Sequence, residues 1–381
     1  MLSKFLKAVS LMALIVFSGL ITANQFNNPY QGNVMVESFD EKELKKRALN
    51  QVMIKVSGNT DIGSLDEAKQ LHKKSQQLIS QFGYRKVQGT EYFSAVFDQR
   101  KINQSLKDMQ QPVWGDTRPV TLIWLINNNT LVSDNTIKQN DDAPLSWSLQ
   151  QTERERGIQM QFPLMDLDDN LALSASDIRG RFYDQIGEAS SRYALAHVVI
   201  AEFKAINTEK WALSWQLIQT NNPSKQPRIL ITERFVGGKA SISKKMVNVI
   251  ADYYASQYAI LENKGAQFAQ TLHINGINSL AKLTKLNSVL NDLFSVSSFT
   301  IVSVEGENVN VEVKIKGGLN SFKNALIVQP NLQLDSSLRA VVEEKILPND
   351  TESAENPEND ILTTKDTVAS VKTEALYFNW R

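Results

Sequence analysis

Four residues carry oxygens at the spacing of a cation-binding loop: Asp166, Asp168, Asn170 and Asp177. With Asp166 at position one, the others fall at positions three, five and twelve, where a calcium loop places side-chain ligands. Leu171 stands where that loop wants glycine, and Asp177 replaces the bidentate glutamate. The competing reading is an acidic surface loop with Asp177 near a helix N-terminus. Asp166, Asp168 and Asp169 are also the carboxylates around which a metal-dependent hydrolase would be built. The three histidines, His72, His197 and His273, have no mutual metal-ligand spacing. Gly237-Gly-Lys-Ala-Ser241 lacks the first glycine of a phosphate loop and the hydroxyl after its lysine, so it reads as a strand-to-helix turn. No Gly-x-Ser-x-Gly elbow occurs. The chain has no cysteine, which excludes disulfides, thiolate metal sites and a Cys nucleophile. No cofactor motif is present. Most of the six tryptophans fall on strand positions, where core packing is the default. Trp114, in a turn beside Gly115, and Trp380, at the terminus, are the candidate contact residues.

The elements that would position these residues are read from periodicity. Pro119–Ile126 is a nearly unbroken apolar run and reads as a strand buried on both faces. Ahead of it lie a strand at Asn33–Val36 and a helix at Glu41–Val56. That helix is capped by Asp40 and striped by Leu44, Ala48, Val52 and Val56. A second helix is predicted over Asp66–Phe82, ended by Gly83, then a strand at Glu91–Phe97 and a helix capped by Asp98. After it come a helix at Ser146–Arg156, a short strand at Ile158–Phe162, an acidic loop at Met165–Asn170 and a helix over Asp177–Tyr193. A buried strand at Ala196–Phe203, a hairpin ending at Val236 and a long helix from Lys239 follow. Beyond Gln267 the pattern is β-α-β-β-α, with Val309, Val311, Val313 and Ile315 alternating strictly against polar residues. This unit would leave an open sheet edge unless another strand covers it. Leu347–Thr367 has a disordered composition, and Ala375–Trp380 is expected to return as a strand or docking segment. Phe93–Met109 loosely echoes Val311–Leu326, as a match of pattern rather than a repeat.

Charge is balanced, with 41 basic and 41 acidic residues. That is no electrostatic footprint for nucleic acid. Met1–Ala23 has Lys4 and Lys7, then an apolar run over Ala8–Ile21, then small residues at the exit, as in a cleaved secretory signal peptide. An uncleaved anchor is the alternative. The run is about 14 residues, below the roughly 18–20 that span a bilayer.

Several segments together resemble a known family. They are Arg47–Gly58, Phe97-Asp98, Pro112-Val-Trp-Gly through Trp124-Leu125, Arg156–Asp169 and Ala189-Ser-Ser-Arg-Tyr193. In order and spacing they resemble exported proteobacterial proteins catalogued as "domain of unknown function 2066", over roughly Tyr30 to Leu326. The resemblance implies an envelope protein of Gram-negative bacteria with no assigned activity, and it carries no catalytic residue over. The layout is also similar to α/β modules of envelope accessory proteins of the Tol and flagellar-ring systems, an analogy of layout alone.

The expectation is an α/β and α+β protein of three small mixed modules, with antiparallel or mixed sheets packed by helices. Its divisions are a signal peptide at 1–23, modules at 24–112, 113–264 and 265–335, and an acidic tail at 336–381. Functionally it reads as a periplasmic interaction or scaffold protein that binds other envelope proteins, with no transmembrane segment in the mature chain. The alternatives are the metal-dependent envelope hydrolase and a small-molecule binding protein with a pocket between the second and third modules.

Overall fold

The computed structural model describes residues 28–37, 39–87, 89–115, 118–133, 143–220, 227–261, 267–335 and 375–381. The export segment at 1–23 and the acidic stretch at 347–367 lie outside the described residues. Eleven α-helices and three sheets among the described residues form an α+β fold.

The first unit runs β1 (Gln31–Met35), α1 (Glu41–Ser57), α2 (Asp66–Lys73), α3 (Ser75–Leu78), β2 (Ile79–Val87), β3 (Thr90–Phe97) and α4 (Gln99–Asp108). Its strands lie in the order β1-β3-β2, with both pairings antiparallel. Asp40 caps α1 by accepting from the Lys42 and Glu43 amides at 3.0 and 3.3 Å. The buried stripe Leu44, Ala48, Val52 and Val56 joins Phe93, Ala95 and Phe97 in one core. Gly32 lets β1 touch α1 backbone to backbone, since a side chain there would strike the Ala48 carbonyl. The helix predicted over Asp66–Phe82 stops at Leu78. Beyond it the chain pairs with β3, and Phe82 and Tyr84 pack on Phe93 at 5.7 and 5.5 Å between ring centres. Cross-strand aromatic contact here overrides the helical pattern.

The second unit runs β4 (Val120–Asn127), β5 (Thr130–Leu131), α5 (Ala143–Arg156), β6 (Gln159–Gln161), α6 (Leu167–Ala172), α7 (Ala175–Gly180), α8 (Tyr183–Ser191), β7 (His197–Ala205), β8 (Trp211–Gln219), β9 (Arg228–Gly237) and α9 (Lys239–Tyr258). β4 is parallel to β6 and β7, and the strands beyond β7 are antiparallel. Ile123 and Leu125 face the core under α5 and α9. Leu122, Trp124 and Ile126 face a second core with Ile178 and Ile186. The central run is therefore buried on both faces. The helix predicted over Asp177–Tyr193 is two helices, broken where Arg181 takes φ +56°, and the predicted acidic loop is partly α6.

The third unit runs β10 (Gln267–Asn275), α10 (Leu280–Asp292), β11 (Val296–Glu305), β12 (Asn308–Lys316), α11 (Leu319–Ile327), β13 (Leu332–Leu334) and β14 (Leu376–Trp380). Its strand order is β11-β12-β10-β14-β13. The first and third units share one topology: strand, helix, strand, strand, helix, with the last strand in the middle and antiparallel to both others. The faint echo between Phe93–Met109 and Val311–Leu326 is this common strand-to-helix step, so the two are a topological repeat. Of the edges this unit would leave open, the one on β10 is covered by β14, which runs parallel to it. Phe378 and Leu376 of β14 are buried in the third core.

Truncating that docked strand tests it. Phe378→Ala is expected to lower unfolding free energy by about 3–5 kcal/mol, the usual effect of emptying a buried phenylalanine site, read by denaturant unfolding. A change below about 1 kcal/mol would mean that β14 does not hold the third sheet.

Candidate binding groove between the first two sheets

A strand at a sheet edge presents backbone N–H and C=O groups that need partners. Among the described residues β1 pairs with β3 on one side only. Along its other side, α1 supplies side chains one turn apart. Lys55 donates to the Gln31 carbonyl, Gln51 Oε1 accepts from the Asn33 amide at 2.5 Å, and Arg47 Nη1 reaches the Met35 carbonyl at 3.5 Å. The i, i+4, i+8 spacing matches the two-residue step of the strand's outward groups. Lys55 is 3% exposed, and burial, with Arg118 nearby, pushes its pKa down to about 7.

Alongside this edge lies a groove of about 770 Å³. One wall is α1 with the turn at Thr60–Ser64 and His72 of α2; the other is α5 and α9. Among the described residues, Lys46, Arg47, Arg85, Arg154, Arg156 and Lys244 line it against Glu37, Glu43, Asp61 and Glu155, six cations against four carboxylates, with Arg156 also paired to Asp252 outside the lining. Arg85 crosses the open face of the first sheet to donate to Asn33 Oδ1 at 2.6 Å. Burial and the neighbouring Arg154 lower its pKa, with Tyr92 opposing. His72 is likewise lowered by burial and Lys46, with Glu43 opposing. Asn50 and His72 are lining residues whose Oδ1 and Nε2 atoms are buried without a hydrogen-bond partner among the described residues.

The two walls are held by the C-terminus of α1. Arg118 Nη2 donates to the Lys55 carbonyl at 2.8 Å, the Trp114 amide to the Val56 carbonyl at 2.6 Å, and Arg156 Nη2 to the Gly58 carbonyl at 3.1 Å. Arg156 is 4% exposed and also binds Asp252 at 2.5 Å and Asn248 at 3.0 Å. Gly58 caps α1 at φ +75°, where a side chain would also strike Ala255 of α9.

The predicted site residues sit elsewhere. Asp166 caps α6, accepting from the Asp169 amide at 3.1 Å, and binds Arg192 through both oxygens at 2.8 and 2.9 Å. The Arg192 hydrogen bonds hold its pKa down at about 2. Asp169, wholly buried, accepts from Arg192, the Met165 amide and the Tyr193 hydroxyl. Burial, then the Asp169 hydrogen bond, pushes Tyr193 up to about 12. Asp168 is exposed, and Asn170 turns its amide back to the Met165 and Asp166 carbonyls. Asp177 closes a capping box with Ser174 on α7. These oxygens serve helix N-termini and Arg192, and no group of three His, Asp or Glu among the described residues is placed to hold a metal. Arg192 was not foreseen as their partner. Trp114 is 1% exposed and is a core residue, contrary to its reading as a surface contact. Val113 bridges Ile260 with two 2.9 Å bonds, which turns the tryptophan inward, and Arg118 stacks on its ring at 4.1 Å. Trp380 is half-buried at the end of β14, opposite Leu332. His273 stacks on Tyr377 at 4.7 Å and bonds Asn310 at 2.5 Å.

The family model that matches is "Domain of unknown function (DUF8605)", over residues 23–115, which holds α1 and β1. It overturns the expected membership of domain of unknown function 2066. No curated protein matches the chain. Among solved structures, the hypothetical protein CT253 from Chlamydia trachomatis is 7% identical, with 36% of this chain and 98% of that one covered, at a TM-score of 0.23. The PelC dodecamer from Paraburkholderia phytofirmans is 12% identical, covering 36% and 88%, at a TM-score of 0.20. Likeness at this level carries no argument for this chain.

Lys55 makes the β1 edge sensitive to pH. Its folded pKa lies below the value of about 10.4 for an unfolded lysine. Between those values the unfolded chain binds more protons, so the Lys55 contribution to stability rises with pH from about 7 upward. Lys55→Met removes that slope. Denaturant unfolding from pH 7 to 9 should show stability rising more steeply in the wild type, by up to about 1.4 kcal/mol per pH unit. Equal slopes would contradict a buried, weakly protonated Lys55.

Proposed function

We propose that this chain is a non-catalytic binding protein of the bacterial cell envelope, exported by the segment at 1–23, whose groove beside β1 receives an acidic segment of another envelope protein. The observation that supports it best is the groove itself: about 770 Å³, walled by two units, its described lining richer in cations than in carboxylates even after Arg156 is paired with Asp252. Complementary charge draws an acidic partner and sets its register. Export rests on Lys4, Lys7 and the apolar run that follows them. Among the described residues no helix is long and apolar enough to cross a membrane. A hydrolase built on Asp166, Asp168 and Asp169 is not favoured, because two of these carboxylates are tied to Arg192 and to backbone amides.

The test is a photocrosslinking residue at Gln151 in the groove of the full chain in cells, with Glu209 in the exposed β7–β8 turn as control. Position 151 should give one discrete adduct with an envelope protein, and position 209 should not. Lys244→Glu should weaken the adduct several-fold, since it reverses a groove charge. Identical adducts at both positions, or an adduct indifferent to Lys244→Glu, would contradict the reading.

A further inference from the structure

The second and third units meet around a separate cavity of about 260 Å³. The end of the second sheet supplies His197, Gln219 and Arg228; α9 supplies Tyr253 and Gln257; Asn324 of α11 closes the far side. Asn324 Nδ2 donates to Gln257 Oε1 at 3.3 Å across the junction. Among the described residues the lining holds one arginine and no carboxylate.

His197 is 4% exposed, yet its Nδ1 has no hydrogen-bond partner among the described residues. A buried polar atom in that state is uncommon and costs stability unless something satisfies it. The nearest aromatic neighbour does not. Tyr254 packs edge-on against the ring at 5.1 Å, and its hydroxyl is bonded to Thr121 at 2.6 Å. Burial pushes the His197 pKa down to about 4, so the ring is neutral near pH 7 and offers one donor and one acceptor. Arg228 is exposed at the cavity, without a carboxylate partner among the described residues.

We infer that this cavity is a binding site for a small hydroxylated carboxylic acid, held by its carboxylate on Arg228 and by its hydroxyls on His197, Gln219, Gln257 and Asn324. Charge decides the class. One guanidinium matches one carboxylate in a two-bond geometry. A phosphate ester, near −2, would be left half-neutralised by Arg228 alone, and the amine of a zwitterion would find no anion among the described lining residues. Size agrees: at about 30 Å³ per water the cavity holds roughly nine waters, the bulk of a sugar acid. The site is independent of the groove beside β1, so either can fail alone.

The chain has only three histidines, so 15N-histidine spectra of the full chain resolve His197 from His72 and His273. Lactate, glycerate, gluconate and glucuronate are each titrated to 20 mM, with sorbitol and inorganic phosphate as controls. The expected result is a saturable shift of the His197 ring signals with at least one of the acids, the other two histidines standing still. Arg228→Gln, an exposed site that leaves the core intact, should weaken binding at least tenfold, and Asn324→Ala should weaken it less. No shift with any of the four acids would overturn the proposal. So would a shift unchanged in Arg228→Gln, or one matched by phosphate or by all three histidines together.

Discussion

A helix leaves its last carbonyls without intrahelical donors, and the arrangement of the first two sheets follows from how α1 solves that problem. Its own cap serves only the Ile54 carbonyl, through the Gly58 amide at 2.8 Å. The Lys55, Val56 and Gly58 carbonyls take donors from the second unit: Arg118, the Trp114 amide and Arg156. Two guanidiniums at the negative end of the helix dipole are favourable in charge as well as geometry. Neither unit therefore satisfies its backbone here alone. Lys55, buried on the Gln31 carbonyl, holds its proton weakly chiefly because of that burial, with Arg118 nearby adding to the effect.

The same joint decides how the edge of β1 is closed. The first and third units repeat one topology, and the corresponding strand edge is exposed to pairing in both. In the third unit a strand from the far end of the chain fills it. In the first, Arg47, Gln51 and Lys55 reach out from α1 and meet the outward backbone groups directly. Side chains close an edge with less bulk than a strand does, and space remains between β1 and α5. That space is the groove. Most of its charged lining comes from the helices that approach to make the joint, so the groove is a by-product of how α1 ends.

Much of this was legible in the chain. The Asp40 cap, the Leu44–Val56 stripe and the Pro119–Ile126 run each state a local rule that tertiary structure leaves in force. The return of Ala375–Trp380 as a strand followed from an apolar segment with an uncovered edge to meet. The misses share a cause. Phe82 and Tyr84 fit a helical face as well as a strand, and only β3 decides between them. Trp114 looks exposed beside Gly115 until the Val113–Ile260 bridge turns it inward. Asp166, Asp168, Asn170 and Asp177 satisfy a ligand spacing, but Arg192, distant in sequence, takes up Asp166. The groove is not legible in the sequence because its walls, α1 on one side and α5 and α9 on the other, are far apart along the chain. The Arg47, Gln51 and Lys55 spacing on α1 was its one local signal, a polar stripe beside an apolar one.

The most direct test of this account is the hydrogen-exchange rate of the Trp114 backbone amide, which links the second unit to the Val56 carbonyl. If the joint is as described, this amide exchanges as slowly as the β4–β7 ladder, opening only with the whole structure. In Arg118→Gln it should speed up while that ladder is unchanged. Exchange of Trp114 at the rate of an open turn in the wild-type chain would contradict the joint, and with it the groove that the joint creates.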